Sequence, residues 1–157
     1  MLFIFDLDGT VIDSSHRALA NADGSINLDF WRENSTAEMI AKDKLLPLAD
    51  GWRSLVGDSR HQIAVMTARV MGDADYDFLI NNGLIADFIY SRPEGVTLAD
   101  DILKRNFLIS LKRDIKKSLA WIRSHTIMFD DNKTVRYTMR NELIRAYDPA
   151  NYNRRFA

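Results

Sequence analysis

Leu2-Phe3-Ile4-Phe5-Asp6-Leu7-Asp8-Gly9-Thr10 is the stretch on which the reading of this chain turns. Its first four residues are apolar without interruption, and read as a short, fully buried strand. Strands buried on both faces belong to parallel sheets covered by helices. In such sheets ligands sit just past the carboxyl ends of the strands. Asp6 and Asp8, two residues apart at the tip of this strand, therefore stand where chemistry is done.

Working outward, four more strand-like runs follow: Gln62 to Met66, Ile85 to Tyr90, Thr126 to Phe129 and Leu143 to Tyr147. Helical spacing lies between them, over Pro47 to Val56, Ala74 to Asn81 and Lys133 to Glu142. The longest helical pattern starts at Thr97, where Thr97 and Asp100 make a capping-box-like pair, and runs to Ile122 with an expected break at Asp114. This alternation predicts a three-layer α/β/α, Rossmann-like fold with a mostly parallel five-stranded sheet and right-handed crossovers. Residues 11–46 fall outside the pattern, being polar with a turn signal at Asp23-Gly24-Ser25. They are expected to form a small cap-like insertion within one domain spanning residues 1–157.

With 157 residues the chain fills one core rather than two. A net charge of −1 argues against a protein that coats nucleic acid by uniform basicity. The sequence has no cysteine, which excludes disulfides, thiolate catalysis and Cys-zinc sites. No apolar run approaches bilayer-spanning length, and the first residues lack a basic leader region, so a cytoplasmic protein without membrane contact is expected.

Three of the strand runs end in polar signatures: Asp6-x-Asp8, Thr67-x-Arg69 and Asp130-Asp131. If the strands are neighbours, four carboxylates meet in one crevice. Like charges about 4 Å apart repel by roughly 4 kcal/mol at an effective dielectric of 20, so such a cluster calls for a cation. A hard divalent ion with oxygen ligands answers it, and magnesium suits few carboxylates, retained waters and a phosphate oxygen.

Taken in order, these features resemble the haloacid dehalogenase-like phosphatases: Asp-x-Asp-Gly-Thr after an apolar strand, a strand ending in Thr67, a downstream Lys104, and a strand ending in Asp130-Asp131. The likeness spans nearly the whole chain. A narrower resemblance is to the 3′-phosphatase domain of phage polynucleotide kinase and its stand-alone phage relatives. It rests on His16-Arg17, Met66-Thr67-Ala68-Arg69, Ser91-Arg92-Pro93, Asp100-Asp101-Ile102-Leu103-Lys104 and Phe129-Asp130-Asp131-Asn132. No Gly-x-x-x-x-Gly-Lys-Ser/Thr signature occurs, so kinase chemistry is not expected.

The resemblance implies that Asp6 is the nucleophile and Asp8 the acid and base. Thr67 would hydrogen-bond a phosphoryl oxygen, Lys104 would neutralise the nucleophile and the transferring group, and Asp130 and Asp131 would hold Mg²⁺ directly or through water with Asp6 and the main-chain carbonyl of Asp8. It gives Arg17 and Arg69 to the substrate phosphate, and one of Asp100 and Asp101, with Asp101 preferred, to substrate binding. Both of these acids also suit the first turn of a helix, and Asp130-Asp131-Asn132 also suits a helix N-cap. Trp31, Trp52 and Trp121 read as packing residues, although Trp31 lies in the insertion within reach of substrate. Lys112-Arg113 and Lys116-Lys117 read as a solvated helix face. With one acid protonated and a bound phosphate dianion, roughly −5 would face roughly +5 from Mg²⁺, Lys104, Arg17 and Arg69.

The expected function is that of a Mg²⁺-dependent phosphomonoesterase removing 3′-phosphates from nucleic-acid ends. A phosphatase of free nucleotides or another small phosphorylated metabolite is the alternative, and a silent binding module the reading from another class. If the chain is phage-encoded, its place would be the host cytoplasm.

Overall fold

The computed structural model describes residues 1 to 157. Seven strands form: β1 (Leu2–Phe5), β2 (Ile12–Asp13), β3 (Lys44–Leu45), β4 (Gln62–Thr67), β5 (Phe88–Ser91), β6 (Thr126–Phe129) and β7 (Arg145–Tyr147). Five of them make one sheet in the order β5-β4-β1-β6-β7, every neighbouring pair parallel. The helices are α1 (Leu28–Glu33), α2 (Ala37–Ile40), α3 (Leu48–Leu55), α4 (Asp73–Asn81), α5 (Asp100–Ile115), α6 (Leu119–His125), α7 (Lys133–Asn141) and α8 (Ala150–Phe156).

Alternation along each strand decides which helices it meets. Leu2, Ile4, Ala64, Met66 and Met128 pack with Leu103, Phe107 and Leu111 of α5 and Val135 and Met139 of α7. Phe5, Ile63 and Val65 turn the other way, onto Leu48 and Trp52 of α3 and Phe78 and Leu79 of α4. Phe5 stacks on the Trp52 ring at 5.0 Å, and the indole N–H donates to the Ile85 carbonyl at 2.9 Å, so Trp52 is a packing residue. Burying each such side chain contributes about 1.5–3 kcal/mol. The result is the three-layer α/β/α arrangement expected from the sequence. No helix is long and apolar enough to cross a membrane.

Element starts differ from the sequence reading for local reasons. β5 begins at Phe88 rather than Ile85, because Asp87 closes the ladder: its N–H donates to the Ile63 carbonyl, and its carboxylate accepts from Ile63 N. β7 begins at Arg145, since Leu143 sits in the left-handed region at φ 64° as the chain leaves α7. Thr97 and Asp100 form no capping box. α5 starts at Asp100 with Ala99 before it and no side-chain cap, and Arg92 instead pins this entry by donating to the carbonyls of Val96 and Leu98. Asp114 stays helical and accepts from the Tyr90 hydroxyl; the break falls at Lys116, at φ 57°, after which Ser118 caps α6.

Residues 11–46 leave and rejoin the main body through paired strands, Ile12 opposite Leu45 and Asp13 opposite Lys44. Between them run a short 3₁₀ turn at Ser15–Arg17, the Asp23-Gly24-Ser25 turn, α1 and α2. Val11, Ile12 and Ile40 reach into the core beside α3, while most of the segment is exposed.

Candidate active site

β1 lies between β4 and β6, so the three polar strand tips converge at one end of the sheet. Asp6 prolongs the β1–β6 ladder by donating its N–H to the Phe129 carbonyl at 3.0 Å. Lys104 reaches in from α5 and is buried; its Nζ donates to Asp6 Oδ1 at 2.8 Å and to Asp130 Oδ2 at 2.6 Å. Thr10 Oγ1 donates to Asp6 Oδ2 and accepts the Asp131 N–H, both at 3.2 Å. The Asn132 N–H donates to Asp130 Oδ1, and the Asn132 side chain caps α7. Arg136 fixes the loop from the next turn by donating to the carbonyls of Asp130 and Asp131.

Carboxylate oxygens of Asp6, Asp130 and Asp131 all lie within 4.8 Å of one another. Asp131 accepts no hydrogen bond on its side chain, in contrast to the other two. Gly9 leaves room for it: φ is +74°, and a Cβ there would fall onto Asp131 Oδ2. Burial pushes the Asp6 carboxyl above the ordinary range; Lys104 pulls it back only in part, and the Asp130 charge adds to the rise. Asp131 is pushed up to about 6, chiefly by burial and then by the charge of Asp6. Burial would lower the Lys104 ammonium, but Asp6 and Asp130 more than offset this and raise it. Three carboxylates thus share one cation. An all-oxygen donor set short of positive charge, with one carboxylate free, fits a hard divalent ion such as Mg²⁺.

A second buried cluster begins at Asp8. Its carboxylate accepts from Arg69 Nε at 2.9 Å and Nη2 at 2.6 Å, and from Ser14 Oγ at 2.6 Å. Burial pushes Asp8 up, but the charge and hydrogen bonds of Arg69, with the bond from Ser14, outweigh this and leave it below the usual carboxylate range. Arg69 also donates Nη1 to Asp75 at 2.7 Å and Nη2 to Asp43 at 3.2 Å. Arg17 donates Nε and Nη2 to Asp43 at 2.9 and 3.0 Å, and its guanidinium lies 4.2 Å from the Trp31 ring centre. Both arginines, read from sequence as phosphate contacts, are buried and already matched to carboxylates.

Thr67 ends β4 as expected; its hydroxyl accepts the Arg69 N–H, leaving its own hydrogen available. Asp101 is not drawn into either cluster. Its carboxylate accepts from Thr138 Oγ1 and ties α5 to α7, while Asp100 pairs with Arg92 at 2.8 Å. Sequence reasoning gave no role to Asp43, Asp75, Ser14 or Arg136. A signal existed only for Asp75, three residues after Gly72 at a helix start, where it accepts the Gly72 N–H. Asp43 lies in a polar stretch with nothing to distinguish it.

Beside Arg69 opens a cavity of about 370 Å³ lined by residues that include Arg17, Trp31, Ile40, Met71 and Glu94. Its lining mixes an aromatic ring, aliphatic side chains and polar groups, and its volume is at the lower end of the range of about 300–1,000 Å³ that small-ligand pockets have.

Over residues 1–156 the sequence matches the family described as Bacteriophage T5 5′-deoxynucleotidase. It is 37% identical over 86 residues to the 5′-deoxynucleotidase of Escherichia phage T5, a match that takes in 53% of this chain and 35% of that protein. The aligned part thus spans about a third of the curated relative. Among solved structures, the chain resembles a haloacid dehalogenase-like family hydrolase from Streptococcus pneumoniae, at TM-score 0.64 and 15% identity, over 94% of this chain and 83% of that one. It also resembles a chain of a Pnkp1/Rnl/Hen1 RNA repair complex, at TM-score 0.58 and 18% identity, over 94% of this chain and 41% of that one. These two likenesses establish a haloacid dehalogenase-like fold.

Proposed function

Because the chain belongs to the Bacteriophage T5 5′-deoxynucleotidase family, we propose that it is a Mg²⁺-dependent phosphomonoesterase acting on deoxynucleoside 5′-monophosphates. The observation that carries this reading is Lys104, held between Asp6 and Asp130 beside the free carboxylate of Asp131. Asp6 attacks phosphorus, the bond to the sugar oxygen breaks, and Asp8 supplies the proton that the leaving alkoxide takes. Water then attacks the aspartyl-phosphate, gives its proton to Asp8, and releases phosphate and the Asp6 carboxylate.

Mg²⁺ would be held by Asp6, Asp130 and Asp131 with the main-chain carbonyl of Asp8, and when bound it neutralises charge on the phosphoryl oxygens. Lys104 does the same from α5, and Thr67 offers its hydroxyl hydrogen. Arg69 holds Asp8 as a carboxylate, the form that activates water in the second half. An entering phosphate dianion competes for Arg69 and raises the proton affinity of Asp8, which suits the first half.

The size of the cavity supports a single nucleotide as substrate, since it is bounded by Trp31 and Met71 and reaches Arg69, which grips Asp8. A second reading, the 3′-phosphate of a nucleic-acid end, is supported by the short exposed segment 11–46, which leaves the crevice accessible to a macromolecule. A substrate panel separates the two: deoxynucleoside 5′-monophosphates, ribonucleoside monophosphates, and 3′-phosphorylated DNA and RNA oligonucleotides, each with Mg²⁺ and with chelator. Turnover of the 5′-monophosphates, lost on chelation, is expected. Turnover confined to oligonucleotide 3′ ends would replace the first reading with the second. A salt dependence of kcat/KM much steeper for oligonucleotides would mark backbone contacts.

A further inference from the structure

Asp43 lies 35 residues beyond Asp8, in the polar segment that precedes β3, yet its side chain is wholly buried. A buried carboxylate persists only with partners, and Asp43 has three cationic or polar ones. Arg17 grips it with two N–H groups, His16 Nε2 lies 2.8 Å from Oδ1, and Arg69 Nη2 donates to Oδ2 at 3.2 Å. The Arg69 contact is the informative one. The same Nη2 also donates to Asp8 Oδ1, so one nitrogen is shared between Asp43 and the reacting carboxylate.

Arg69 is planar, and its orientation is set from two sides. Asp75, at the start of α4, takes Nη1, while Asp43 takes Nη2 from the segment that returns into β3. The remaining Nε, with the Nη2 that Asp43 shares, forms the edge that grips Asp8. We propose that Asp43 is a positioning residue for the reaction: through Arg69 it sets where the Asp8 carboxyl stands, and so couples residues 11–46 to proton transfer. This rests on the reading of Asp8 as the general acid. Asp43 touches neither substrate nor the reacting atoms in this scheme. It acts only through the guanidinium it orients.

A role in proton transfer has a signature that a role in folding lacks. A sugar alkoxide leaves with difficulty unless protonated, whereas p-nitrophenolate leaves without help. The test compares kcat/KM on a deoxynucleoside 5′-monophosphate and on p-nitrophenyl phosphate for the wild-type chain, Asp43→Asn and Asp8→Asn. kcat/KM covers the steps up to departure of the leaving group, so the later hydrolysis of the phosphoenzyme does not enter it. Asp43→Asn is expected to lose about 10- to 100-fold on the nucleotide, the cost of an acid displaced by about 1 Å, and to stay within about threefold on the aryl ester.

The ratio of the two values on one preparation does not depend on how much of the protein is folded. Should the Asn variant fail to fold, Asp43→Glu keeps the charge, moves the carboxylate by one methylene and carries the same expectation. An equal loss on both substrates, a gain, or no change overturns the positioning role. If Asp8→Asn itself shows no preference between the esters, the acid assignment is what fails, and the role of Asp43 goes with it.

Discussion

Around Asp6, three carboxylates share the single ammonium of Lys104, and burial raises the proton affinity of Asp6, Asp130 and Asp131 alike. Around Arg69, the three carboxylates Asp8, Asp43 and Asp75 share two guanidiniums, and Asp8 is lowered. Both clusters are ion networks at the same end of the sheet, largely buried, with Asp131 exposed in the first and Asp8 partly exposed in the second. They differ in how far their carboxylates are partnered. The first is short of positive charge and keeps one carboxylate unbonded, which is the condition for taking up a cation and a phosphate. In the second, one positive charge short, every carboxylate accepts from an arginine, which is the condition for holding a geometry. Charge binds where a carboxylate lacks a partner and positions where every carboxylate has one.

The largest test of that contrast is Asp6→Asn. Phosphate release from any good ester should fall by about 10⁴-fold or more if the side chain is the nucleophile, while the metal-free thermal midpoint holds or rises because one of three crowded carboxylates has gone. Retention of most of the activity would remove the nucleophile assignment. Lys104→Met leaves Asp6 and Asp130 buried without their common partner. Removing one partner of a buried pair costs about 3–5 kcal/mol, and denaturant unfolding should show a loss of that size without Mg²⁺ and a smaller one with it.

Gly9→Ala sharpens the comparison without touching a charge. The left-handed backbone costs about 1–2 kcal/mol for a residue with a Cβ, and that Cβ would displace Asp131. Mg²⁺ affinity, read by calorimetry, should drop about tenfold or more, while the Arg69 cluster is unaffected. The smallest effect is in pH. Asp131 rises from an ordinary 3.8 to about 6 in the metal-free protein. A carboxyl raised on folding binds its proton more tightly in the folded state, so metal-free stability falls as pH climbs from 3.8 towards 6, and Asp6, raised to about 7, carries the fall on to that pH. Mg²⁺ displaces that proton. Its affinity should rise with pH from 5 to 7 and flatten only once Asp6, raised to about 7, has also lost its proton, whereas a flat profile from pH 5 to 7 would contradict the raised values.

Much of the first cluster could be read from the sequence, because its members sit at fixed offsets from strand ends. Asp6 and Asp130 each follow an apolar run directly, and Lys104 lies on the longest helical pattern. Strand adjacency does the rest. The second cluster was only half legible. Arg17 and Arg69 were visible as residues, but the carboxylates that meet them were not, since neither Asp43 nor Asp75 follows a strand. Asp101 shows the converse: it lies near Lys104 in sequence, and its carboxylate is turned to Thr138.

Periodicity and local chemistry are properties of consecutive residues, so the chain by itself determined the parallel sheet, the buried first strand and the acidic tips of its strands. Which cation answers which carboxylate is a matter of contacts between residues tens of positions apart. Only the tertiary structure decided that Lys104 also bridges to Asp130, and that Asp43 returns from a polar segment to hold Arg17 and Arg69. The physical reason is that a buried charge is priced by everything packed around it, and the sequence does not state what that will be.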